Sequence, residues 1–309
     1  MKRMRLHIYI LIGFFLITFI LGSIFDYQIN KALFSDKNTS GLILSVIGTI
    51  PGYGMLAVLG GGFIALGLKK QYKLVFNIIF YILAAVLVVL GIFFSGREFF
   101  GPNGFTNEKI KFVGYIIATP IMGGLGFLGY YLFKKSEAKY LLPLLIIMGV
   151  LIFIALVPGV TLLKSIFHRP RYRSIQLYEA EGLVFHNWWT RCENYEALMG
   201  QFNLLKEEFK SFPSGHAGAS LVFAFSVNFL PKLDKKYEPL QIPLFYAGFI
   251  WTILISFSRL WVGAHFLSDV SMGALITAIC LLVGNELVIN LKFFKEEKLE
   301  EKKEEKVAA

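Results

Sequence analysis

Long apolar runs, each about the length of a bilayer crossing, follow one another along this chain and are joined by short polar stretches. A hydrocarbon core takes roughly 20 helical residues to cross. Runs of that order fall at 7–24, 43–68, 74–95, 112–133, 140–162, 216–230, 242–258 and 268–290. The pattern predicts an all-α fold, a polytopic transmembrane helical bundle of about eight spans. The sixth run is short, and the second is broken around Pro51-Gly52. The longest interval without a span, about 165–212, carries Tyr195, Leu198, Met199, Phe202, Leu205 and Phe209 at helical spacing, after Trp188-Trp189. That spacing predicts an amphipathic helix. It lies on the outer membrane surface beside an entrance, or it caps the bundle.

Composition agrees with the pattern. Of 309 residues, 56% are hydrophobic and 17% charged, too apolar for an ordinary soluble domain. A net charge of +10 would suit a nucleic-acid partner, but the cations sit in short joints: Lys69-Lys70-Lys73, Lys134-Lys135-Lys139 and Lys232-Lys235-Lys236. With alternating spans these joints, the Lys2-Arg3-Arg5 start and the Lys/Glu tail over 292–309 share one side. By the positive-inside rule that side is the cytoplasm, and both termini lie there. The joints around Asp26–Asp36 and Arg97–Lys111 face the other way and are nearly balanced in charge. One membrane-embedded domain is expected over 1–291, followed by the charged tail. The first run lacks a small-residue cleavage site and is read as a retained anchor. Cys192 and Cys280 fall in an outer loop and in mid-span, so no disulfide is expected, and no metal-ligand spacing is present.

Three strings carry candidate chemistry, all on the predicted outer side. The first is Lys164-Ser165-Ile166-Phe167-His168-Arg169-Pro170-Arg171, the second Pro213-Ser214-Gly215-His216, and the third Ser258-Arg259 with His265 and Asp269. Cations at the mouths of apolar helices are costly unless they face water or a charged ligand. Lys164, Arg171 and Arg259 are suited to phosphate oxygens, which arginine binds through a planar fork. The free N–H groups at the start of the sixth run and the Ser214 hydroxyl form an oxyanion site, to which Gly215 gives close backbone access. His265 and Asp269 stand one helical turn apart, so the carboxylate can fix one ring nitrogen and leave the other as nucleophile or base. His216 is suited to protonate a departing alkoxide. His168, Arg169 and Arg173 flank the first string, either as added positive charge for a headgroup or as solvated loop residues.

These strings resemble the motifs of the type-2 phosphatidic acid phosphatase superfamily, integral-membrane lipid phosphatases that share a site with vanadium haloperoxidases. Lys164 and Arg171 stand at the spacing of the family's first motif, with Tyr172 where the family has proline. Pro213-Ser214-Gly215-His216 matches the second motif, and Ser258, Arg259, His265 and Asp269 match the third. The resemblance spans roughly 160–275. It implies that His265 forms a phosphohistidine, Asp269 orients it and His216 protonates the leaving group. Lys164, Arg171, Ser214, Gly215 and Arg259 would hold the phosphoryl oxygens, with no metal or other cofactor. It also implies a six-helix core, to which this chain adds an N-terminal hairpin, about 1–70.

The expected substrate is a membrane phospholipid or polyprenyl phosphate, of undecaprenyl diphosphate, phosphatidate or phosphatidylglycerol phosphate type. The expected setting is a bacterial plasma membrane, with the site facing the extracytoplasmic side and no nucleic-acid partner. The alternatives are a lipid phosphotransferase using the same site and a non-catalytic lipid-phosphate binder.

Overall fold

The computed structural model describes residues 3–36, 38–99 and 111–291. The tail expected over 292–309 and most of the 97–111 joint lie outside the described residues. Among those residues all the regular structure is helical, and seven helices are long and apolar enough to cross a membrane. They are α1 (Met4–Leu33), the broken pair α2 (Thr39–Ile47) and α3 (Ile50–Leu68), α4 (Leu74–Gly96), α5 (Lys111–Phe133), α6 (Ala138–Leu156), α11 (Glu238–Trp261) and α12 (Leu267–Asn290). The run at 216–230 is instead the short α10 (Gly215–Val227), enclosed by α3, α6, α11 and α12. Its neighbours are protein on nearly every side, so its length is not set by the thickness of lipid.

The α2–α3 break falls at Gly48-Thr49, with Pro51 in the first turn of α3. Pro51 has no N–H to donate to the Ile47 carbonyl, as a continuous helix would need, and at the break the Trp251 indole N–H donates to the Gly48 carbonyl at 2.9 Å. α6 runs into a π-helical turn, Val157–Leu162, begun by Pro158. It leads to the one-turn α7 (Leu163–Phe167), which carries Lys164. The glycines near 60 and 126 act where backbones meet. A Cβ on Gly61 would lie 1.9 Å from the Gly126 carbonyl oxygen, which holds α3 and α5 in close contact.

α1 lies antiparallel to α12. Arg5 pairs with Glu286 at one end, and Asp26 bonds Ser268 at the other. α10 runs parallel to α12, from Ser214 beside Asp269 to Asn228 beside Asn285. The N-terminal ends of α10 and α12 and the C-terminal ends of α1 and α11 therefore meet at one end of the bundle.

The interval 165–212 covers that end. Its helix is not continuous over 195–209. α9 (Tyr195–Phe202) stops at Asn203, which takes a left-handed φ of 50°, and a 3-10 turn (Lys206–Phe209) follows. α8 (Tyr172–Tyr178) begins on Tyr172. Tyr172, Ile175, Leu183, Cys192, Tyr195, Phe202, Phe209 and Phe266 form a second apolar core under this cap. The capping arrangement accounts for most of the helical spacing: Tyr195, Phe202 and Phe209 are buried in this core and Leu198 and Met199 pack against it, while Leu205 is exposed. Cys192 and Cys280 are both free and buried.

Helix spacing at the covered end rests on Gly273 of α12, where a Cβ would lie 2.1 Å from the Ser214 carbonyl oxygen. Gly273→Ala forces α10 and α12 apart and is expected to cost about 1–3 kcal/mol, as overpacking does. Gly149→Ala, on α6 with open space around it, is expected to leave stability unchanged. Thermal unfolding of the two variants in mild detergent checks the contrast.

Candidate active site

The three strings, separated by up to about a hundred residues, are tied together by backbone bonds. Arg171 N–H donates to the Glu208 carbonyl at 2.9 Å and Ser211 N–H to the Arg169 carbonyl at 3.0 Å, which joins the first string to the approach of the second. Ser214 N–H donates to the Asp269 carbonyl at 2.9 Å, which joins the second to the third. Ser214 is the N-cap of α10, and its hydroxyl faces the Ala217 N–H at 3.5 Å.

Positive side chains converge on the histidine of the third string. His265 lies between α11 and α12, outside the spanning helices. Burial first, and then the charges of Lys164, Arg171 and Arg259, push its imidazole well below its ordinary value. A ring so placed is neutral and keeps a lone pair free. Lys164 Nζ donates to the Lys210 carbonyl at 2.9 Å, and Arg171 Nε to the Glu207 carbonyl at 2.9 Å. Both cations are thereby aimed by the cap. Arg259 is fully buried, and its carbonyl accepts the Ala264 and His265 N–H groups, which closes the turn that presents His265. A Cβ on Gly215 would touch only Val160, at an ordinary 3.5 Å; protein packing does not require glycine there. Ser258 bonds its own helix, at the Ile255 carbonyl.

The His265–Asp269 pair is close but open. Nδ1 and Oδ2 are 3.7 Å apart, beyond hydrogen-bond distance. Asp269 Oδ2 already accepts the Phe266 N–H at 2.8 Å and the Ser211 hydroxyl at 2.5 Å, while Oδ1 accepts Arg169 Nη1 at 2.5 Å.

Arg169 is thus neither a solvated loop residue nor an extra headgroup cation. Its guanidinium is buried and also bonds Asp26 of α1 at 2.9 Å, Ser268 Oγ at 2.9 Å and, through Nε, the His186 carbonyl at 2.8 Å. It lies 4.1 Å over the Phe266 ring. Asp26 in turn accepts the Ser268 N–H at 2.9 Å, and Asn30 donates to the His265 carbonyl at 2.9 Å. The flanking His168 stacks on Tyr195 at 3.8 Å, and Arg173 pairs with Glu208. Tyr172, at the family's proline position, is buried against Tyr27, Phe34 and Phe266.

Asp26, Ser211 and Glu98 were not among the expected site residues. Glu98 lies in a 3-10 turn after α4 (Arg97–Phe99), 3.3 Å from His216 Nε2. Asp26 had a readable signal. A single carboxylate near the end of a long apolar run is costly without a partner.

Residues 139–292 match the family model of the PAP2 superfamily. No curated protein matches the chain, and no solved structure does.

Arg169→Met leaves Asp26 and Asp269 buried with no cation between them. The expected loss is about 3–5 kcal/mol, the scale for breaking a buried ion pair from one side, and thermal unfolding in detergent reads it. Glu208, in the cap, supplies a pH signature. Burial raises its carboxyl, but the bonds from Arg173 and Ser174 and the charge of Arg171 outweigh it and hold the group at about 2. A depressed carboxylate stabilises the fold above its ordinary value of 4.5. That stability, on the order of 3 kcal/mol, drains away as pH falls from there toward 2. Glu208→Gln is expected to remove this acid dependence, as unfolding midpoints followed from about pH 5 down toward about 2 would reveal.

Proposed function

We propose, from the premise that this chain belongs to the PAP2 superfamily through residues 139–292, that it is a membrane phosphatase acting on a lipid phosphate or diphosphate. The family acts on phosphate esters, typically lipid ones. A single observation supports a lipid substrate here: cations and histidines from three distant strings meet at one end of an apolar bundle, where a headgroup would reach them while its chains stay among the helices.

In this reading Lys164, Arg171, Arg259, Ser214 and the Gly215 backbone hold the phosphoryl oxygens and balance their charge. Neutral His265 attacks phosphorus through Nε2, and the N–P bond forms as the P–O bond to the lipid breaks. The electron pair stays on the departing oxygen, which takes a proton from His216. Positive charge then sits on the His265 ring, and its Nδ1–H closes onto Asp269 across the present 3.7 Å. In the second half His216 takes a proton from water, the resulting hydroxide attacks phosphorus, and the P–N bond breaks. Phosphate leaves and both rings return to their starting states.

The positive-inside bias supports a site on the extracytoplasmic side of a plasma membrane, with both termini in the cytoplasm. One membrane domain over 1–291 would then carry the whole activity.

The test is phosphate release by the detergent-solubilised protein without added metal. The substrates are phosphatidate, phosphatidylglycerol phosphate, undecaprenyl diphosphate and a soluble phosphomonoester. His265→Ala is expected to abolish turnover with the fold retained, and His216→Ala to lower kcat about 10²–10⁴-fold, the usual worth of a general acid. Release that persists in His265→Ala would refute the mechanism.

A further inference from the structure

His216 stands at the start of α10, and its Nε2 faces two acceptors. The Ser45 carbonyl of α2 lies at 3.2 Å and the Glu98 carboxylate at 3.3 Å. The Glu98 and His216 side chains are each 8% exposed. A ring nitrogen held between two oxygen acceptors carries the hydrogen. That sets the tautomer: Nε2–H belongs to the protein, and Nδ1 is left for the phosphate.

The surrounding charges give the contact its meaning. His216 is borne on by Arg259 of α11 and Lys164 of α7, and its charge in turn reaches His265. These cations oppose an imidazolium, and an imidazolium is what a proton donor at this position must be. Burial first, and then these cations, push the His216 imidazole down to about 4, and Glu98, the carboxylate in contact with the ring, works against them. Glu98 is itself faced by Arg97 in its own turn, at 3.5 Å, by Arg259, and by Tyr53 of α3. It comes from the segment before residue 139, outside the part of the chain that matches the family.

We propose that Glu98 is a positioning residue for proton donation: once the negative charge of the bound phosphate offsets Lys164 and Arg259, Glu98 holds His216 as the imidazolium whose Nδ1–H is delivered to the departing oxygen. The inference rests on the phosphatase reading above. As the P–O bond breaks, its electron pair stays on the leaving oxygen and the Nδ1 proton goes to that oxygen. The ring is left neutral with Nε2–H still on Glu98, and in the second half Nδ1 receives the proton that water gives up. The N-terminal helices thus supply the donor with its carboxylate, as α12 supplies one to the nucleophile.

The experiment compares leaving groups. Phosphatidate loses an alkoxide, which needs a proton, whereas p-nitrophenyl phosphate loses a nitrophenolate, which does not. Glu98→Gln keeps shape and removes charge; Glu98→Asp keeps charge. Glu98→Gln is expected to lower kcat/KM, which reports P–O cleavage and not the shared hydrolysis step, about 10²-fold on phosphatidate and by no more than about threefold on p-nitrophenyl phosphate. The alkaline limb of the kcat–pH profile, which reports the acid, should move to lower pH. Glu98→Asp should recover most of the lost rate.

An equal fall on both substrates, or no fall on either, would overturn the proposal, as would a Glu98→Asp variant no better than Glu98→Gln. Wild-type protein that releases no phosphate from any substrate, or His265→Ala that releases it normally, would instead refute the phosphatase reading and this inference with it. Either result is distinct from an active wild type with an indifferent Glu98→Gln.

Discussion

A guanidinium buried at the end of a membrane bundle has to be answered by anions, and at Arg169 that requirement organises the covered end. Its donors reach Asp26 on α1, Asp269 and Ser268 on α12, and a carbonyl of the cap. Burying any one of these charges alone would be prohibitive, so the elements carrying them must arrive together or not at all. The pairing joins α1, which lies outside the family segment, to the carboxylate one turn beyond His265. It also explains why Asp269 is held so firmly: Arg169 binds Oδ1, while Ser211 and the Phe266 N–H bind Oδ2, the oxygen that faces the histidine. Closing the remaining distance to His265 Nδ1 is then the only movement it needs.

The remaining cations are arranged on a different principle. Lys164 and Arg171 rest on backbone carbonyls of the cap, which are neutral acceptors. A carbonyl aims a cation without cancelling its charge, and the excess positive potential stays available to an incoming anion. Arg169 is held by two buried carboxylates, while Lys164 and Arg171 are aimed by carbonyls of the cap. That division within eight consecutive residues follows from what each side chain meets across the bundle.

Much of the architecture was legible in the sequence, because bilayer-length apolar runs leave little choice of element. The break near Pro51 and the shortness of the sixth run were visible in the same way. The continuous helix over 195–209 was not realised: periodicity records which side chains face inward, and a chain interrupted by a left-handed Asn203 can still present the same side. In the candidate site, the residues that stood out lie within short motifs. Asp26 and Glu98 did not, since each is an isolated carboxylate whose partner is more than a hundred residues away. Arg169 stands in plain view, but its sequence neighbourhood offers only a headgroup cation or a solvated loop charge, because nothing local distinguishes a buried, paired arginine from either.

The close approach of Gly273 to the Ser214 carbonyl bears on how this protein meets its solvent. Membranes differ in thickness and lateral pressure, and helices respond by tilting or sliding. Where two helices touch through backbone alone, no side chain is left to compress or re-pack, and the contact transmits little of that strain. His216 and His265 are carried on either side of such a contact. Their separation is accordingly insulated from the lipid around them, and geometry set by covalent dimensions travels unchanged from one bilayer to another.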